Sequence, residues 1–214
     1  MQSITDLWQR IDQWLATHAP HILEELNPGA SEADLTEAEA ALGFALPPDF
    51  KAFYRAHNGG GNSLLGLLEH MGEGFFSLKN VVTSRWQNEL SCAADPADFV
   101  TNPERKPPPV QPVMYHPGWV IFAASAGNGT YQLCLDLAPA TGGQVGQILL
   151  HEIDVGPTLV IAPDLQVLLT QWAGWLESGD ISYGEDDNGQ ETLISTHEWG
   201  IEWMMLRHRP QWKV

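Results

Sequence analysis

In the first half of the chain apolar residues recur three and four positions apart, the spacing that gathers them on one face of a helix. Ile4, Leu7, Trp8, Ile11, Trp14 and Leu15 form such a stripe over Ser3–Thr17, with Ser3 placed to cap it and Pro20 to interrupt it. Asn27-Pro28-Gly29 reads as a turn. Ser31 to Leu42 repeats the helical pattern with Leu35, Ala38, Ala41 and Leu42, and Gly43 follows as a stop. Leu46-Pro47-Pro48-Asp49-Phe50 opens a third helix, because the first turn of a helix tolerates proline's missing N–H. Phe50, Phe53 and Tyr54 give that helix its buried face. Asn58-Gly59-Gly60-Gly61 ends it with residues that accept positive φ. Phe75–Leu78 is a short strand candidate, and Leu78–Leu90 a helix with Val81, Val82, Trp86 and Leu90 in register. Five prolines between Pro103 and Pro112 enforce an extended loop.

The second half changes period. Trp119–Ala123 and Tyr131–Leu137 are rich in strand formers and are separated by a Gly127-Asn128-Gly129 turn. Gln147–Ile153 and Leu159–Ile161 are two further strands. In Tyr131–Leu137 the odd positions are bulky and apolar, which puts Gln132, Cys134 and Asp136 on the opposite face. Asp164–Leu176 returns to helical spacing through Leu165, Leu168, Leu169, Trp172 and Leu176, with Asp164 near the cap. From Asp180 on, an acidic turn between short strands leads to a final helix near Glu198–Arg207. No repeat or linker interrupts this order. The expected fold is a single α+β domain over residues 1–180, a mixed or antiparallel sheet flanked by helices, with an acidic extension, 181–214, packed on or beside it.

The chain has 214 residues, 43% of them hydrophobic and 17% charged, which describes a globular and not a disordered protein. Nine tryptophans suggest a well-filled core with aromatics left for an interface. Met1 to Trp14 lacks the basic start and apolar run of a signal peptide, and no stretch approaches a membrane helix. Cys92 and Cys134 are the only cysteines and read as free, small, buried side chains. Together these features lead us to expect a cytoplasmic protein. Charge adds most. The net charge is −17, and residues 107–206 hold twelve acids and no Lys or Arg. Such a surface repels nucleic acid and anionic membranes and attracts a basic partner; the plainer alternative is that it serves solubility alone.

The order of motifs resembles a known family. Leu-Pro-Pro-Asp-Phe opens a helix that runs to His57-Asn58-Gly59-Gly60, and a Trp119-led strand follows. Then come Gly127-Asn128-Gly129-Thr130-Tyr131, Leu135-Asp136-Leu137-Ala138-Pro139, Gly142-Gly143-Gln144-Val145-Gly146-Gln147-Ile148, and a closing helix with Leu168, Trp172 and Leu176. Over residues 5–180 this is similar to the SUKH superfamily, in its Smi/Knr branch. The resemblance implies an α+β fold without an established catalytic centre, and a structural role for Asn58, Gly59, Gly60, Trp119, Gly127, Gly129 and Tyr131. It implies two kinds of protein-binding role: bacterial members resemble immunity proteins that neutralise toxins, and the fungal member resembles a hub coupling signalling to cell-wall synthesis. Residues from Asp180 on match the family poorly.

The chemical alternatives are weak. Gly127-Asn128-Gly129 lacks the third glycine of a dinucleotide loop, since position 132 is Gln132, and no Walker sequence is present. Asp180–Glu191 has the length of a calcium loop, but Glu185 stands where glycine is needed and Ser182 is a poor ligand. No His-Glu-x-x-His, Cys-x-x-Cys or Gly-x-Ser-x-Gly occurs, and Ser125 and Cys134 have no base beside them in sequence. An unrecognised hydrolase would need a spatial cluster such as His57, His116 and His151. No cofactor or metal is expected. Asp136 has two readings: a charge facing a partner, or an acceptor for backbone N–H groups in the turn that follows. Trp119 reads as core, and Trp199 and Trp203 as either interface or buried helix. The partner-binding candidates are therefore Glu185, Asp186, Asp187 and Glu191, with Asp136. The expected function is a non-enzymatic binding protein, plausibly an immunity protein covering a basic, nuclease-type toxin; a scaffold of envelope synthesis is the alternative.

Overall fold

Ser3 and Ser31 start the first two long helices in the same way. In each case the serine hydroxyl accepts from the backbone N–H three residues on, and the acid there, Asp6 or Asp34, accepts from the serine's own N–H. Helix α1 (Ile4–His18) then buries Ile4, Leu7, Trp8, Ile11 and Leu15. The structure, a computed structural model, describes residues 2–60, 75–84, 109–124, 131–152, 156–185, 189 and 191–195. Helix α2 (Pro20–Glu24) begins with proline at its first position, directly after the break at Ala19. Helix α3 (Glu32–Leu42) buries Leu35, Ala38 and Leu42 and leaves Ala41 exposed. The expected stripe was one residue too wide, because Ala41 lies about 100° round the helix from Leu42. Helix α4 (Pro48–Ala56) buries Phe50, Phe53 and Tyr54. Residues 78–84 form α5. Helix α6 (Leu165–Ser178) is capped by the Asp164 side chain, which accepts from Val167 N.

The strands are β1 (Leu26–Pro28), β2 (His57–Gly60), β3 (Trp119–Ala124), β4 (Tyr131–Asp136), β5 (Gln147–Glu152), β6 (Gly156–Ala162), β7 (Ile181–Glu185) and β8 (Glu191–Ser195). Every pairing among the described residues is antiparallel. The order is β3-β4-β5-β6, and bridges through Phe75 link β1-β2 to the β3 edge. The expected choice between mixed and antiparallel thus resolves to antiparallel within an α+β fold.

Two expectations change here. Asn58-Gly59-Gly60 does not simply end a helix, and Asn27-Pro28 is not simply a turn. The two segments pair with each other as β1 and β2. Phe75 contributes single bridges and not a strand that runs to Leu78.

The sheet has two covered faces of unequal size. On one face Val120, Phe122, Leu133, Leu135, Ile148, Leu150, Leu159 and Ile161 join the helices in the main core, which also takes in Ile181 and Leu193 of the C-terminal strands. On the other face Trp119, Ile121, Cys134 and Leu149 form a smaller cluster with Val110, covered by residues 109–118. Alternation along β3, β4 and β5 assigns each residue to its side.

Candidate functional site

Polar side chains on the smaller face are tied to one another. Asp136 is fully buried. Its carboxylate accepts from Gln147 Nε2 at 2.8 Å and from the backbone N–H of Ala138 at 2.9 Å. The covering segment is held by bonds to the turn after β4 and to β5. Pro109 O accepts from Ala140 N at 3.0 Å, and His151 Nε2 lies 2.7 Å from Met114 O. Burial raises the Asp136 carboxyl above the ordinary carboxylate range, and the bonds from Gln147 and Ala138 oppose that rise. Burial also pushes the Cys134 thiol well up, with Asp136 adding to the effect, so it is not a ready nucleophile. Asp136 therefore sits in the interior, where it organises the turn after β4 and presents no charge to the surface.

Asn58-Gly59-Gly60 is a second organising point. Asn58 Oδ1 accepts from Leu78 N at 2.8 Å, and Asn27 Nδ2 donates to Asn58 O at 3.0 Å. Gly59 has φ +84°, and a Cβ there would stand 2.4 Å from Ser77 N. Gly60 has φ +99°, and its Cβ would stand 2.3 Å from Glu25 O. Only glycine fits both the conformation and the close approach. Trp119 is buried and Tyr131 partly buried.

The acidic surface candidates converge on the β7–β8 hairpin. One face of the hairpin carries Ile181, Tyr183 and Glu185 on β7 and Glu191, Leu193 and Ser195 on β8. Ile181 and Leu193 anchor that face in the core. Toward the turn the same face becomes acidic. Glu185 and Glu191 stand directly opposite each other and both are exposed. Like charges in that position repel. The Tyr183 phenol is pushed up to about 12, first by desolvation and then by its hydrogen bond to Glu191. Beside the hairpin lies a cleft of about 560 Å³, lined in part by Trp14 and His18 of α1, Leu176 and Glu177 of α6, and Ile181 and Tyr183 of β7. The Trp14 and His18 rings stack at 4.5 Å, and His21 packs on Tyr183 at 4.9 Å. Arg10 spans to Glu177 with bonds of 2.8 and 2.6 Å, which raises the guanidinium and lowers the carboxylate.

Among the described residues the histidines do not assemble a catalytic cluster. His57 Nε2 lies 3.1 Å from Asp12 and its Nδ1 3.2 Å from Asn27 O, so both ring nitrogens are engaged in tying α1 to β1 and β2. His116 Nδ1 accepts from Gly118 N at 3.0 Å. Among the described residues no three His, Cys, Asp or Glu side chains are grouped to hold a metal ion, and no helix is long and apolar enough to cross a membrane.

The family pattern described as SMI1 / KNR4 family (SUKH-1) matches residues 29–171, from the segment before α3 to the middle of α6. The chain belongs to the SMI1/KNR4 (SUKH-1) family. This SUKH-1 chain is 30% identical to "KNR4/SMI1 homolog 2" of Debaryomyces hansenii, an alignment covering 87% of this chain and 38% of that protein. It is 30% identical to the "Cell wall biosynthesis/cell cycle regulator smi1" of Schizosaccharomyces pombe, over 86% of this chain and 38% of the relative. It is 28% identical to the "Cell wall assembly regulator SMI1" of Saccharomyces cerevisiae, over 85% and 42%. The chain thus spans about two fifths of the length of these relatives, of which the Schizosaccharomyces pombe and Saccharomyces cerevisiae proteins carry the names of regulators. A shorter similarity, 36% identity over 32% of this chain, reaches "F-box only protein 3" of Homo sapiens.

The SUKH-1 match covers the Asn58-Gly59-Gly60 knot and the Asp136 network and stops before the hairpin. Of the sequence-derived candidates, the structure brings Glu185 and Glu191 together and takes Asp136 inside. Gly127, Gly129, Asp186, Asp187, Cys92, Ser125, Trp199 and Trp203 lie outside the described residues, as does the helix expected near Glu198–Arg207. Sequence reasoning missed the contribution of α1. Trp14 and His18 are four residues apart and so share a helix face, but nothing in their spacing indicates that α6 and β7 close a cleft around them.

Proposed function

We propose that this SUKH-1 chain is a non-catalytic, cytoplasmic protein-binding module whose acidic C-terminal hairpin docks a basic protein, and that it acts as an immunity protein against a basic toxin. One observation carries the reading. Glu185 and Glu191 face each other at the turn end of β7–β8, exposed, in a stretch of sequence without Lys or Arg from 107 to 206. A cross-strand pair of like charges costs a free protein stability, and a partner's cation placed between them turns that cost into attraction. Asp186 and Asp187, between the two strands in sequence, belong to the same acidic run.

Titration of the full chain with the product of a neighbouring toxin-like gene tests the reading. We expect an affinity that falls steeply as salt rises, and a further loss of at least tenfold when Glu185 and Glu191 are both changed to Gln. Affinity indifferent to salt and to both substitutions would overturn it.

A second reading, a scaffold in cell-wall synthesis, is favoured by the names of the fungal relatives. Binding to a wall-synthesis enzyme, with no toxin bound, would decide for it.

A further inference from the structure

We infer that the cleft between the C-terminal end of α1 and the start of β7 seats an arginine side chain of the basic partner. This deepens the proposed function and rests on it. The floor of the cleft is apolar, formed by buried Leu176 and Ile181. Its walls are aromatic. Trp14, half-buried and stacked on His18, stands on the α1 side, and Tyr183 stands on the β7 side.

Its rim is acidic. Glu191 accepts from the hydroxyl of Tyr183, which lines the cleft, and Glu185 stands opposite Glu191 on the same hairpin face. Among the described residues no Lys or Arg is paired with Glu185 or Glu191. Arg10 is the one Lys or Arg on α1, α6, β7 and β8, and it is already committed to Glu177 through two bonds.

An apolar floor, aromatic walls and a carboxylate rim match a guanidinium better than an ammonium. The planar, weakly hydrated group stacks on rings while its edge donates to carboxylates, and its three-carbon stem covers apolar surface. The arginine stem would lie on Leu176 and Ile181, with its head between Trp14 and Tyr183 and turned toward Glu191.

The probe is a peptide of alternating arginine and glycine, titrated calorimetrically into the full chain beside the same peptide carrying citrulline, which keeps the shape and removes the charge. We expect saturable binding of the arginine peptide, at least tenfold weaker binding of the citrulline peptide, and a three- to tenfold loss with Trp14→Ala. Trp14 also packs on the core, so a second variant is needed. Ser178 is exposed and lines the cleft, so Ser178→Trp fills it without changing charge and should lower affinity about tenfold, whereas Glu37→Gln on α3 should leave it unchanged. Equal binding of the two peptides overturns the inference, as does full affinity in Ser178→Trp. If Ser178→Trp still binds the basic partner in a salt-dependent way while Glu185→Gln with Glu191→Gln does not, the cleft assignment fails and the proposed function stands. If neither the peptide nor any basic protein binds, both fail.

Discussion

Two acidic places in this molecule looked alike in the sequence and are opposite in the structure. At Asp136 a buried carboxylate is met by donors from its own chain, Gln147 Nε2 and Ala138 N. At the hairpin, Glu185 and Glu191 are exposed and set against each other. A buried charge persists only when its acceptor capacity is met locally, so Asp136 belongs to the fold. An opposed surface pair is tolerated because solvent screens it, and the charge stays available to another molecule. An acidic residue's role therefore depends on whether the chain itself supplies the donors, and the residue type does not reveal that.

The largest expected effect comes from removing the met charge. Asp136→Ala leaves the Gln147 amide and the Ala138 N–H without an acceptor in the interior. It should lower unfolding stability by about 2–3 kcal/mol, seen as a lower urea midpoint at an unchanged slope. A loss under about 0.5 kcal/mol, the range of ordinary surface substitutions, would make Asp136 no different from the hairpin acids.

The pH dependence separates the two places next. The Asp136 carboxyl is raised in the fold above the ordinary carboxylate range, chiefly by burial. The folded protein then holds that proton more tightly than the unfolded chain does. The penalty for its charge is fully present above the folded pKa and disappears as pH falls through the folded value toward the unfolded one. Glu177 and Glu39 behave oppositely. Arg10 lowers the first, and the Leu46 N–H followed by Lys51 lowers the second, so their stabilisation is lost as pH falls. Asp136→Asn removes only the first contribution. The stability gap between the wild type and this variant should widen as pH drops from neutrality into the carboxylate range, measured by urea unfolding at several pH values. A gap that narrows would reverse the sign assigned to Asp136.

How much of this was legible in the sequence follows the range of the interactions. Helices α1, α3, α4 and α6 were readable because their signals are local: Ser3, Ser31 and Asp164 sit at the caps, and Leu35, Phe50 and Leu168 repeat within a turn or two. Strands β3, β4 and β5 were readable as short runs of strand formers, and alternation along β4 also placed Cys134 and Asp136 on a face of their own. The β1–β2 pair was not, because Asn27 and Asn58 are 31 positions apart and are joined by a bond that no local pattern encodes. Asp136 kept two readings because the choice depends on Gln147, a residue on the neighbouring strand, and on coverage of that face by residues 109–118. The hairpin's acidity was plain in the sequence. The direct opposition of Glu185 and Glu191 required the register.

That register sets the smallest and most discriminating expectation. Single neutralisation, Glu185→Gln or Glu191→Gln, relieves a repulsion and should raise stability by roughly 0.5 kcal/mol at low salt. The gain should shrink as salt is added, because screening already weakens the repulsion in the wild type. Glu185→Gln is the cleaner of the two, since Glu191 also accepts from Tyr183 and its substitution disturbs that bond. Unfolding of the two variants at low and high ionic strength measures the effect, and partner titration on the same samples measures its counterpart. If the hairpin is a docking edge, the change that steadies the free protein must weaken the complex. A variant that loses both stability and affinity would instead put these acids in the same class as Asp136, as parts of the fold.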